Sequence, residues 1–163
     1  MLWWCSYCEI VFVSLGDGMD QDIQRLFDER ECEKLISEYC RLVDFGNAAG
    51  IAQLFVSHGI WTGPDVEMIG QSEIEAGFTA RQAITRRQSR HLCTNVVVNV
   101  EGDEAKGFCY LLNFRHDSQS GTAEFPAPAG LPKYVGEYHD RFVRTERGWR
   151  FASRRCDIAF LRN

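Results

Sequence analysis

Asp44 and His91, 47 positions apart, are the residues of this chain whose types could do acid–base chemistry together. A carboxylate that accepts a hydrogen bond from one imidazole nitrogen fixes the tautomer of the ring and leaves the other nitrogen free to take a proton. Asp44 closes the segment Tyr39-Cys-Arg-Leu-Val-Asp44, and His91 opens His91-Leu-Cys-Thr-Asn95-Val-Val-Val. The bland reading of Asp44 is a helix-end carboxylate in water. Against it, Asp in the last turn of a helix is opposed by the macrodipole, so its place beside an apolar stripe suggests a task. The bland reading of His91 is a hydrogen-bonded structural residue, and only its pairing with Asp44 lifts it above that.

The elements that must position this pair follow from periodicity. Cys32, Leu35, Ile36, Tyr39, Cys40 and Val43 share one helical face, which predicts a helix over 29–43 with Asp44 at the flank of its stripe. Gly46 ends it, and Asn47 is placed to cap a second helix running through Phe55. A break follows at Ser57-His58-Gly59, then a short extended piece at Ile60-Trp61. Ser72-Glu-Ile-Glu75 reads as a capping box opening a helix to about Arg87. Four strands follow, 90–100, 105–115, 134–144 and 149–161, as two hairpins turning at Gly102 and Gly148. Residues 118–132, with three of the four prolines, form a loop. Helices first and antiparallel strands after is the α+β pattern. A strongly bent, mostly antiparallel sheet wrapped on those helices makes a cone that can hold one small ligand.

Strand alternation puts His91 on one face with Cys93, Asn95 and Val97, so Asn95 is placed to orient the ring or a substrate. Trp61, Tyr138 and Phe114 are wall or core residues. Arg154 and Arg155 face opposite sides of the last strand, and a one-residue bulge would exchange them.

The length of 163 residues suits one domain, with 19–163 as that domain and 1–18 as an apolar leader that an upstream start codon would explain, Met19 being the true start. The leader is too short for a membrane span and lacks the basic opening of a signal peptide. A net charge of −5 argues against nucleic acid or an anionic membrane as partner. Seven cysteines, an odd number set mostly in apolar stretches, fit a reducing cytoplasm better than a disulfide framework. Cys5-Ser-Tyr-Cys8 is a lone pair, and His58, His116 and His139 lack zinc-site spacing. With no Walker A loop, dinucleotide glycine fingerprint or G-x-S-x-G, no metal or cofactor is expected.

Tyr39 five before Asp44, Trp61 seventeen after it, His91-x-x-Thr94-Asn95, Gly136-x-Tyr138 and Gly148-Trp149-x-Phe151-x-x-Arg154 stand in a fixed order. Over about 29–155 this set resembles the SnoaL-like branch of the nuclear transport factor 2-like superfamily, which includes scytalone dehydratase, bile-acid 7α-dehydratase and hexachlorocyclohexane dehydrochlorinase. The resemblance implies that Asp44 faces the cone and holds His91, and that His91 takes a proton from a carbon beside an electron-withdrawing group. It implies a phenol donor at Tyr39, where the dehydrochlorinase-like members tend to carry Lys, and a cavity cation at Arg154. The expected activity is therefore a cofactor-independent lyase or isomerase, dehydratase-like, on a small hydrophobic ring substrate. Trp61, Asn95, Tyr138 and Arg154 would bind that substrate. The expected assembly is a cytoplasmic homodimer or homotrimer. A non-catalytic binding module, or a small structural subunit of a multicomponent oxygenase, stands as the alternative.

Overall fold

The structure is a computed structural model and describes residues 15–162. A long helix α1 (Leu15–Asp44), a 3₁₀ helix (Ala48–Leu54) and a helix α2 (Gly70–Gln82) accompany six strands. These are β1 (Phe55–Gly63), β2 (Val66–Ile69), β3 (Arg87–Glu101), β4 (Glu104–Asp117), β5 (Tyr134–Thr145) and β6 (Gly148–Leu161). They form one sheet in the order β2-β1-β6-β5-β4-β3. Every neighbouring pair is antiparallel except β1 with β6, so the sheet is mixed, and it is open, with β2 and β3 at its edges. The α+β architecture expected from the element order is the one found.

The apolar stripe of α1 buries Cys32, Ile36, Tyr39 and Val43 as its spacing requires. They pack with Ile51, Phe55, Ile74, Phe78, Cys109, Leu111, Tyr138, Phe142 and Phe151 in one core. Each such side chain, fully buried, is worth about 1.5–3 kcal/mol. A polar clamp adds direction to this packing. Asp28 accepts Arg144 Nη1 at 2.8 Å, Arg144 Nη2 at 2.6 Å and Trp149 Nε1 at 3.0 Å, tying α1 to the β5–β6 hairpin. The Arg144 hydrogen bonds hold the Asp28 carboxyl at about 2, against 3.8 ordinarily, although burial opposes this.

Several boundaries differ from the sequence reading. The expected break at Ser57-His58-Gly59 lies inside β1. Residues 1–14 lie outside the described residues, so the expected leader over 1–18 is described only in part, its residues 15–18 being helical in α1. Asn47 makes no side-chain cap, and the element after it is 3₁₀. Helix α2 opens at Gly70, two residues before the supposed capping box, with Glu73 Oε2 accepting the Ile69 N–H at 2.8 Å. It stops at Gln82, well short of Arg87, which begins β3.

Two bulges decide which side chains face inward. The β3–β4 turn pairs Glu101 with Glu104 and Val97 with Phe108, but beyond a register shift Thr94 pairs with Tyr110 where strict continuation would give Leu111. Asn95, at φ 53°, sits in this bulge. Asn and Gly are the residues that adopt such a conformation most easily. Val98 and Val96 point inward on one side of the bulge, and Cys93, His91 and Ser89 on the other. On β6 a second shift separates the Phe142–Phe151 pair from the Arg141–Ser153 pair. Simple alternation from buried Trp149 and Phe151 would turn Arg155 inward; the shift turns Arg154 inward and leaves Arg155 outside.

Candidate active site

Asp44 reaches its place through the end of α1. Gly46, at φ 80°, lets the chain turn, and Asn47 N–H returns to Leu42 C=O at 3.1 Å in a Schellman-type close. The Asp44 side chain, 4% exposed, then meets the start of β3. Its Oδ1 accepts His91 Nδ1 at 2.7 Å and Ser89 Oγ at 3.0 Å, and its Oδ2 accepts the His91 backbone N–H at 2.7 Å. Ser89 Oγ in turn accepts Arg81 Nη2 at 2.9 Å. The chain Arg81–Ser89–Asp44–His91 thus links α2, β3 and α1. A carboxylate can only accept here, so the proton between them rides on His91 Nδ1, and Nε2 is left as the basic nitrogen. Holding both the ring and the backbone of one histidine fixes the ring's orientation as well as its tautomer.

A second group fills the interior. The Tyr39 hydroxyl accepts Trp61 Nε1 at 3.0 Å, and the Tyr39 ring meets Phe78 and Tyr138 edge-on at 5.8 and 5.7 Å. Arg154, 0% exposed, makes a bidentate pair with Asp140 at 2.8 Å on each branch. Its guanidinium lies 4.4, 4.1 and 4.6 Å from the ring centroids of Tyr39, Tyr138 and Phe151. Burial pulls the Arg154 pKa down, but Asp140 more than offsets this and the group stays charged. Burial raises the Tyr39 phenol above its ordinary value, so it remains a neutral donor. Arg154 Nη1 is buried with no hydrogen-bond partner among the described residues. Cys40 Sγ and Cys93 Sγ, 3.5 Å apart, lie between the two groups in sequence, one helical turn before Asp44 and two residues after His91.

The expected residues therefore divide into two sets. Asp44 and His91 come together, as do Tyr39, Trp61, Tyr138 and Arg154. Asn95 joins neither: the bulge turns it outward, where its side chain accepts Thr94 Oγ1 at 3.0 Å. Phe114, expected in the wall or the core, also points outward, because the bulge makes Asn113 the cross-strand partner of His91. The sequence reading missed Ser89, Arg81, Asn113 and Asp140. Ser89 and Asp140 had a signal, since each lies two residues along the same strand from a residue already singled out. Asn113 had none without the bulge.

A metal would find one candidate cluster among the described residues, Glu137, His139 and Asp157, whose ligand atoms all lie within 4.8 Å of one another. Arg155 already binds Asp157 at 3.0 Å, so a cation would have to displace it. No helix among the described residues is long and apolar enough to cross a membrane.

Comparison with known proteins places the fold. A SnoaL-like domain profile matches residues 24–155. The chain belongs to the SnoaL-like family. Among solved structures it is similar to a nuclear transport factor 2-like protein with a cystatin-like fold from Novosphingobium aromaticivorans. They share 25% identity over 90% of this chain and 92% of that one, with a TM-score of 0.74. It also shares the fold of a candidate scytalone dehydratase from the same organism, at 20% identity over 87% and 89% of the two chains and a TM-score of 0.70. LinA, at 16% identity over 85% and 90% and a TM-score of 0.71, shares the fold too. No curated protein matches this sequence.

Proposed function

We propose that this SnoaL-like protein is a cofactor-independent lyase or isomerase in which His91 takes a proton from carbon. The observation that carries this reading is the double hold of Asp44 on His91, through ring and backbone, both at 2.7 Å. Asp44 keeps Nδ1 protonated and stabilises the imidazolium as Nε2 accepts the proton. Tyr39, kept neutral by burial, is the candidate donor to a leaving hydroxyl or a carbonyl oxygen. The apolar and aromatic interior suits a small hydrophobic ring substrate, with Trp61 and Tyr138 shaping the fit. The reaction ends in loss of hydroxide or in migration of a double bond, so it needs no redox partner. The outer sheet face exposes Leu92, Val97 and Tyr110, which suits assembly as a homodimer or homotrimer.

The test is turnover of a panel of cyclic β-hydroxyketones by the protein and two variants. His91→Ala should lower kcat by about 10²–10⁴ with little change in affinity, because the base acts mainly in the transition state. Asp44→Asn should keep the fold and cripple the rate, because Asn can support the wrong tautomer.

A second reading draws on the packed interior. Arg154 is held by Asp140 and three aromatic rings, with only Nη1 left without a hydrogen-bond partner among the described residues, which suits a core filled mostly by its own side chains. On that reading the domain is a binding module or a structural subunit, and neither substitution alters a measured activity.

A further inference from the structure

A cavity of about 520 Å³ lies where the loop after β4 folds back on the β3–β4 hairpin. That volume falls in the range of small-molecule sites. Its floor includes Gln88, Arg90, Phe114 and His116, side chains that alternate with His91 and Asn113 and so face away from the dyad. Ser89 borders both this cavity and the dyad, but its hydroxyl is turned to Asp44, and neither Asp44 nor His91 lines the cavity. Three arginines, Arg90, Arg115 and Arg162, line it, and no Asp or Glu does. This is a local excess of positive charge in a chain of net charge −5. Arg115 is partly neutralised by Asp117, which it shares with Arg87. Arg90 and Arg162 have no carboxylate partner among the described residues; Arg90 is steadied by the Phe45 ring, 4.6 Å from its guanidinium, and by Ser89 C=O at 2.6 Å. The apolar wall is equally unpartnered, with Phe125 82% and Leu131 75% exposed beside Pro126 and Pro128.

We infer that this cavity binds a small apolar molecule carrying one carboxylate. The aryl or alicyclic body would lie against Phe114, Phe125 and Leu131, taking those faces out of water. The carboxylate would accept from Arg90 and Arg162, whose planar forks match its two oxygens. Carboxylate is favoured over a bare inorganic anion because most of the lining is apolar. The inference stands apart from the proposed chemistry at His91, since it uses neither Asp44 nor His91.

The experiment is a calorimetric titration of the full chain with 2-naphthoate, its methyl ester and inorganic phosphate. Saturable one-to-one binding of the naphthoate is expected, with the ester at least about tenfold weaker, the scale of a lost charged hydrogen bond. Phosphate should not compete at equal concentration. Arg90→Gln and Arg162→Gln should each weaken naphthoate by about tenfold or more. Circular dichroism and melting temperature would confirm that each variant is folded, and Arg162, being exposed, serves if Arg90→Gln is not. His91→Ala should leave binding unchanged. Equal affinity for the ester, no saturable binding, or binding lost in His91→Ala but kept in both arginine variants would overturn the inference; the last result would put the ligand in the cone instead.

Discussion

Asp140→Asn is the substitution whose cost follows most directly from the geometry. It keeps the volume of the side chain and removes only its charge. Arg154 and Asp140 have side-chain exposures of 0% each, so water cannot replace the lost carboxylate. Removing one member of a buried ion pair costs about 3–5 kcal/mol, because it strands the other charge. The three rings around the guanidinium soften this by cation–π attraction, so the lower half of that range is expected. In a domain of this size about 3 kcal/mol lowers the melting temperature by about 6–12 °C. The assay is urea unfolding at neutral pH, with the midpoint reporting stability and an unchanged slope confirming a comparable transition. Replacing both members, as Asp140→Leu with Arg154→Met, should recover much of the loss, since a buried pair contributes little net against apolar side chains of similar size. A loss under about 1 kcal/mol for Asp140→Asn would refute the reasoning and show that Arg154 finds another partner, a substrate-binding role being the first alternative.

Acid should weaken the Asp28 clamp in a defined window. The folded pKa is depressed, so the stabilisation is complete above the ordinary value of 3.8 and is lost as pH falls through about 2. After allowance for screening at the partly exposed Arg144, about 1–2 kcal/mol is at stake. Asp28→Asn should flatten the stability profile between these values, which chemical unfolding from pH 5 to pH 2 would detect; an unchanged slope would count against the clamp. At the β3 bulge, Asn95→Gly should be tolerated, whereas Asn95→Val should cost about 1–2 kcal/mol, because a β-branched residue resists positive φ. Equal stability of the two variants would mean that the bulge is not pinned by this residue.

How much was legible depended on the range of each interaction. The α1 stripe, the two hairpins and the placement of Asp44 against His91 followed from periodicity, turn residues and a recognisable ordered motif set. The failures share a cause. A strand's faces alternate only while its register is unbroken, and both bulges break it without a distinctive sequence mark. Asn95 was assigned to the His91 face because alternation was carried through the very residue that ends it. Asp28 was missed because its partner Arg144 lies 116 residues away, whereas Asp140 faces Arg154 across the β5–β6 hairpin, where the β6 bulge decides whether Arg154 or Arg155 turns to it. The break expected at Ser57-His58-Gly59 falls inside β1 but on the irregularity between Phe55 and Ile60, where the β1–β6 register shifts, so the local turn propensity is expressed as a bulge and not as the end of a strand.

The central claim is that His91 removes a proton from carbon, and deuterium exchange tests that step without knowledge of the leaving group. 2-Tetralone, a hydrophobic ring ketone, would be incubated with the protein in D₂O and its α-positions followed by proton NMR. Exchange above the buffer rate is expected, falling by about 10²–10⁴ in His91→Ala, with Asp44→Asn between the two. Exchange at the buffer rate in the wild-type protein, or an equal rate in His91→Ala, would contradict the claim.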